Sequence, residues 1–194
     1  MLRKHISKID KLSIHNIQKV KLLSSELAYE RAVSLYLKLR MLVKEDESYQ
    51  PVRAHLRGLI KRYEQDNWTN ESLVADNQVK ESDPAESLVQ AENEFYFTRK
   101  ELIKEKLKEN GLNQNDLAQI LGHRKGYMSE LINGLRPFSK EDIVVINRLL
   151  KIKLENLMPT FIKQDRAEHI KRTLNTLSNS KIKLSNEGFD LQFV

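Results

Sequence analysis

Residues 112–136 read LNQNDLAQILGHRKGYMSELINGLR, two short helical patterns joined by a glycine. The first opens at Asn113, whose side chain can accept a hydrogen bond from a free helix N–H. Asp116 follows three residues on, where a carboxylate favours the positive end of the helix. Leu117, Ala118 and Leu121 supply the apolar face. Gly122 then stands where the chain must leave the helix through a backbone conformation that residues with a Cβ avoid. After His123 and Arg124 a second pattern turns Met128, Leu131 and Ile132 inward at helical spacing. It leaves Lys125, Gly126, Tyr127, Ser129 and Glu130 outward or flanking, and Gly134 closes it.

This order predicts a helix-turn-helix whose second helix enters a DNA major groove. A plain helical hairpin of an all-α protein shares the periodicity, but not the glycine turn, the Leu-Ala pair, Ser129 and the Asn133-Gly134 ending together. The spacing from Gly122 to Gly134, with Gln114 at the start of the first helix, resembles the lambdoid-repressor type of helix-turn-helix, the XRE or Cro family. The resemblance implies that Gln114, with the Asn113 end of its helix, positions a backbone phosphate, and that the start of the second helix reads base edges. Carried over by position, Arg124, Lys125, Gly126, Tyr127 and Glu130 occupy the readout face, and Ser129, Asn133 and Arg136 complete the set of expected DNA contacts. Two positions depart from it. Gly126 has no side chain to read a base, and Glu130 can only accept hydrogen bonds, which leaves cytosine N4 as its base partner. Fewer direct base contacts are expected.

Working outward, Gly111 stops a helix that Asp83-Pro84 with Glu86 opens, a cap, a proline at the first position and a carboxylate at the third. Leu88, Ala91, Phe95, Leu102 and Ile103 are its inward candidates. On the other side Ser139 with Asp142 caps a helix carrying Ile143, Ile146, Leu149 and Leu150, a short piece follows at 154–157, and Pro159 limits it. Together these make a five-helix repressor-like domain over residues 92–160. Nearer the N-terminus, Ser24-Ser25 caps a helix with Ala28, Ala32, Leu35, Leu39 and Leu42 on one face. Pro51 then starts another with Val52, Leu56, Leu59, Ile60 and Tyr63. Two amphipathic helices joined by a polar turn pack as an antiparallel hairpin, with Trp68 anchored in its core. Residues 1–23 read as a helix or an irregular arm.

The fold class expected is therefore all-α. Residues 1–67 form an N-terminal helical domain for partner binding or dimerisation, 68–91 an acidic linker and helix start, 92–160 the helix-turn-helix domain, and 161–194 an extension. In that extension Ala167 to Leu177 reads as a helix, and Ile182, Leu184, Phe189, Leu191 and Phe193 alternate as a small β-hairpin.

The chain of 194 residues carries a net charge of +6, distributed as +6 over 1–67, −6 over 68–94, +4 over 95–160 and +2 over 161–194. A modest basic excess suits phosphate contact but is also an ordinary solvated surface. No cysteine is present, which excludes disulfides and thiolate metal sites. No apolar run approaches the roughly 18 residues that span a membrane, and no secretory signal opens the chain, so a cytoplasmic location is expected. His5, His15, His55, His123 and His169 are isolated, and neither a phosphate loop nor a nucleophile elbow occurs. No enzyme activity, cofactor or metal is expected.

The order of the parts carries a second resemblance. Leu56, Leu59, Ile60, Tyr63 and Glu64 fit the pattern L-x-x-L-I-x-x-Y-E, and Ser129 to Arg136 resembles an S-E-x-L-x-G-x-R signature. An N-terminal hairpin, a linker and a repressor-like domain in this order resemble the HigA family of antitoxins over residues 24–160. The resemblance implies a dimeric repressor that binds double-stranded operator DNA before its own operon and neutralises a HigB-type ribonuclease toxin of the RelE superfamily. This chain departs in the residue count between Gly122 and Ser129, in a long acidic linker and in its C-terminal extension. The competing expectations are a stand-alone XRE-type regulator and an interaction protein that keeps the fold without DNA binding.

Overall fold

Ser25 opens the first long helix, its side chain accepting from the Ala28 N–H in an extended N-cap geometry. The computed structural model describes residues 14–44, 46–68, 76–160 and 164–177. A single turn, α1 (Ile14–Ile17), precedes the hairpin of α2 (Glu26–Leu42) and α3 (Gln50–Asn67). The apolar stripes expected for α2 and α3 meet. Ala28, Ala32, Leu35, Leu39 and Leu42 pack with Val52, Leu56, Leu59 and Tyr63, Ile14 and Ile17 close one end, and Trp68 lies partly buried against the cluster. Each fully buried leucine there contributes about 1.5–3 kcal/mol. Tyr29 stacks on Tyr63 with ring centroids 5.0 Å apart, and their hydroxyls donate to Glu64 and Glu26, each at 3.0 Å.

The long helix α4 (Asp76–Glu109) corrects the expected helix start. Asp83-Pro84 lies within it, and the part of the expected linker from Asp76 onward is helical; residues 69–75 lie outside the described residues. Proline breaks a helix by removing one i→i−4 bond and crowding the preceding turn. Here Pro84 is exposed, while Ala85 and Val89 of the same stretch are buried. The inward stripe of α4 is Ala85, Val89, Arg99, Ile103 and Leu107. Of the expected positions, Ile103 is fully buried, while Leu88, Ala91, Phe95 and Leu102 are half-buried.

At 34 residues α4 spans about 51 Å, and both parts of the protein pack on it. Its N-terminal half runs alongside α2, where Arg31 grips Glu92 through two bonds, Nε to Oε2 at 3.2 Å and a terminal nitrogen to Oε1 at 2.5 Å. Ser34 donates to Asn93 at 2.7 Å, and the Lys38 ammonium sits 5.2 Å from the Tyr96 ring centroid. Its C-terminal half joins α5 (Gln114–Ile120), α6 (Lys125–Ile132) and α7 (Lys140–Leu150) around a second core of Leu117, Ala118, Met128, Leu131, Ile132, Ile143, Ile146 and Leu150. The fifth helix expected is a single 3-10 turn, Leu154–Asn156, followed by the buried Leu157. Leu149 is turned partly to solvent rather than inward. A further helix, α8 (Gln164–Leu177), agrees with the helix expected at Ala167 to Leu177. The described residues are all-α, and the expected β-hairpin falls on residues outside them.

Candidate nucleic-acid interface

Capping positions the two helices of the motif. Asn113 Oδ1 accepts from the Asn115 and Asp116 N–H groups, and Asp116 Oδ2 accepts from the Asn113 N–H at 2.8 Å, a closed capping box at the start of α5. Ser139 and Asp142 make the same box at α7. Gly111, Gly122 and Gly134 all take φ near +70°, and each ends its helix with a pair of backbone bonds. At Gly122 these run from His123 N to Ala118 O at 2.8 Å and from Gly122 N to Gln119 O at 3.1 Å.

The start of α6 differs. Arg124 is its N-cap in extended geometry with no side-chain bond, so the first N–H groups of the helix have no side-chain acceptor. Arg124, Lys125, Gly126 and Tyr127 are all exposed there. A Cβ built on Gly126 meets nothing within 4 Å, which leaves open space against the helix backbone. Uncapped N–H groups, the positive end of a helix and two cations make a face suited to phosphate or to the acceptor edges of bases.

The other expected contacts separate into two groups. Gln114 is half-buried in the first turn of α5 beside the exposed Asn113, whose carboxamide oxygen is taken up by the cap. Ser129 and Asn133 are tied to each other and inward. The Asn133 amide donates to Ser129 O at 2.9 Å and to its hydroxyl at 3.3 Å, while Asn133 Oδ1 accepts from Lys100 Nζ at 2.7 Å.

Glu130 requires a correction. It is only 8% exposed, and it faces the hairpin rather than solvent. One carboxylate oxygen accepts from the Tyr49 hydroxyl at 3.0 Å and the other from Arg136 Nε. A group so engaged does not offer an acceptor to cytosine. Arg136 in turn lies with its guanidinium 5.0 Å from the centroid of Tyr127, and Tyr127 meets the His123 ring edge-on at 5.0 Å. His123 Nε2 is 2.9 Å from Asp142 Oδ1. Burial and the neighbouring Glu130 charge push the Tyr49 phenol up to about 12. Sequence reasoning missed Tyr49, which lies in the turn Glu47–Tyr49 between α2 and α3 and 81 residues from its partner.

A second residue outside the expected set seats α6. Arg99 is 2% exposed and donates to the Leu131 carbonyl at 2.9 Å, placing a cation at the negative end of α6. Its guanidinium lies 4.8–5.8 Å from the ring centroids of Phe138, Tyr96 and Phe95. Burial lowers its pKa to about 10. Aromatic faces substitute here for a carboxylate partner.

Residues 103–157 match the helix-turn-helix family model HTH_3. The matched segment runs from Ile103, buried in the second core, to Leu157, which closes it. This segment is a helix-turn-helix domain of XRE type, and the match supports a DNA-binding regulator. No curated protein and no solved structure matches the chain. Among the described residues no helix is long and apolar enough to cross a membrane, and no cluster of three or more histidine or acidic side chains is placed to hold a metal.

Proposed function

We propose that the protein is a sequence-specific repressor that binds its operator as a two-fold dimer and is the antitoxin of a HigA-type toxin–antitoxin pair. The observation that carries the DNA half is the start of α6, where Arg124, Lys125 and Tyr127 stand exposed around the open surface of Gly126. A dimer setting two such helices about one DNA turn apart meets successive major grooves and occludes a promoter. Gln114 and the Asn113 end of α5 hold a phosphate in this arrangement, and Arg136 reaches the groove beside Tyr127. Replacing Arg124 and Lys125 together with alanine is expected to weaken operator binding and to flatten its salt dependence, by about 0.9 in the log–log slope for each phosphate no longer neutralised. Unchanged affinity and slope would refute the assignment of α6.

The antitoxin half is supported by the sequence resemblance of residues 24–160, with a small HigB-type ribonuclease as partner. A stand-alone regulator is the second reading, and one observation favours it. Leu56, Leu59 and Tyr63 of the resembling pattern are spent in the hairpin's own core, and Glu64 accepts from Tyr29, so folding alone accounts for them. Purification from the native cells separates the two. A stoichiometric small basic partner whose free form arrests growth supports the antitoxin. A dimer that comes out alone and binds its own promoter supports the stand-alone regulator.

A further inference from the structure

We infer that Tyr49, which lies outside the helix-turn-helix at the tip of the N-terminal hairpin, is a positioning residue for DNA recognition, acting through Glu130 on Arg136 and Tyr127. The inference rests on α6 being the DNA-reading helix. Its basis is an unbroken run of contacts. The Tyr49 hydroxyl donates to Glu130 Oε1, Glu130 Oε2 receives Arg136 Nε, the Arg136 guanidinium covers Tyr127, and Tyr127 abuts His123. Two members of that run, Glu130 and Arg136, are only 11% and 19% exposed in their side chains, yet Tyr127 at its outer end is 37% exposed on the α6 face.

Arginine reads guanine or phosphate with its terminal nitrogens, which works only if the planar head is already aimed. Glu130 takes the Nε edge, and Tyr127 supplies the flat surface that sets the plane. Glu130 is itself fixed by Tyr49. With the phenol hydroxyl gone, Glu130 Oε1 is without a donor in a mostly dry pocket. The carboxylate then turns to collect a second bond from Arg136, and the guanidinium leaves Tyr127.

Docking of the hairpin does not depend on this hydroxyl. Arg31–Glu92, Ser34–Asn93, Lys38 over Tyr96 and the burial of Leu135 in the hairpin core already hold the two parts together. The Tyr49 bond is therefore free to serve orientation. Loss of the hydroxyl also leaves every charge on the DNA-facing surface in place, so the sequence-independent part of binding stays as it was.

The test uses the full chain and a duplex that it selects from a random-sequence library. Tyr49→Phe is expected to lower the preference for that duplex over random DNA about tenfold, mainly at the base pairs that Arg136→Lys also relaxes. The slope of affinity against salt stays unchanged, and the variant remains folded at the assay temperature by circular dichroism. The double variant is expected to discriminate no worse than Arg136→Lys alone, as for two residues on one path. Alkaline titration at 295 nm gives an independent signature, since Tyr49→Phe removes one tyrosine that ionises near pH 12. Undiminished preference in Tyr49→Phe, or losses that multiply in the double variant, overturn the inference alone. A parent protein with no preference for any duplex overturns the assignment of α6, and this role with it.

Discussion

Gly134, just past the end of α6, closely approaches Tyr96 of α4, and alanine there measures that approach. The backbone stands at φ +71°, and a Cβ on it would lie 2.7 Å from Tyr96 Cγ and 2.9 Å from Cδ1. The left-handed conformation alone costs a residue with a Cβ about 1–2 kcal/mol. Ordinary carbon contacts begin near 3.5 Å, so the ring must also retreat by about 0.8 Å. It has little room to do so. Phe95 meets it edge-on at 5.5 Å, the Arg99 guanidinium lies 4.9 Å from its centroid, and Lys38 lies 5.2 Å from it on the α2 side. Overpacking of this kind adds about 1–3 kcal/mol, for a total of about 2–5 kcal/mol. Gly122 is the internal control, with φ +69° and nothing within 4 Å of its Cβ position. Gly122→Ala should therefore show the backbone part alone. Urea unfolding followed by circular dichroism compares the two, the midpoints being read at a shared denaturant slope. If the two alanine variants unfold at the same midpoint, Tyr96 is not packed against Gly134 as described, and α6 is seated in some other way.

Leu135→Ala removes a side chain of the helix-turn-helix domain that is buried in the hairpin core, and should cost about 2–5 kcal/mol. Because the cores are joined, the transition seen by Trp68 fluorescence, the single tryptophan, should coincide with that seen by circular dichroism; an earlier Trp68 transition in the parent argues against a joined core. Arg99→Ala leaves the Leu131 carbonyl without its cation and three rings without the guanidinium between them, at a cost of about 2–4 kcal/mol by thermal melting. Tyr29 and Tyr49 are both pushed up to about 12, by burial first and by Glu64 and Glu130 beside them. Unfolded phenols ionise near pH 10, so the folded chain holds the extra protons between pH 10 and 12. Their stabilisation is full below pH 10 and lost as pH rises to 12, and the double phenylalanine variant should flatten this part of the profile of urea midpoint against pH. An unchanged profile contradicts both contacts.

Local chemistry made much of the motif readable. The boxes at Asn113–Asp116 and Ser139–Asp142, and the three positive-φ glycines, are decided within a few residues, and periodicity placed Met128, Leu131 and Ile132 inside. What escaped depends on distant partners. Glu130 looked like a surface residue because its polar neighbour, Tyr49, comes from another part of the chain. Arg99 broke the apolar stripe of α4 in the sequence although it is among the most buried residues. Pro84 marked a false start because the contacts that hold this stretch helical against α2, Arg31–Glu92 and Ser34–Asn93, come from residues about 60 positions away in the chain.

The continuity of α4 also sets a phase. Glu92 and Asn93 serve the hairpin side and Arg99 and Ile103 the helix-turn-helix side of one unbroken helix. One residue inserted between them turns everything before it by about 100° and advances it about 1.5 Å. Glu92 turns together with Arg31, but Tyr49 is carried off Glu130 and the hairpin core is drawn away from Leu135. An insertion of four residues comes within about 40° of the original facing but moves the hairpin about 6 Å along the axis, past the recognition helix altogether. The number of residues in this stretch, more than their identity, thus fixes which surface of the hairpin is presented beside bound DNA.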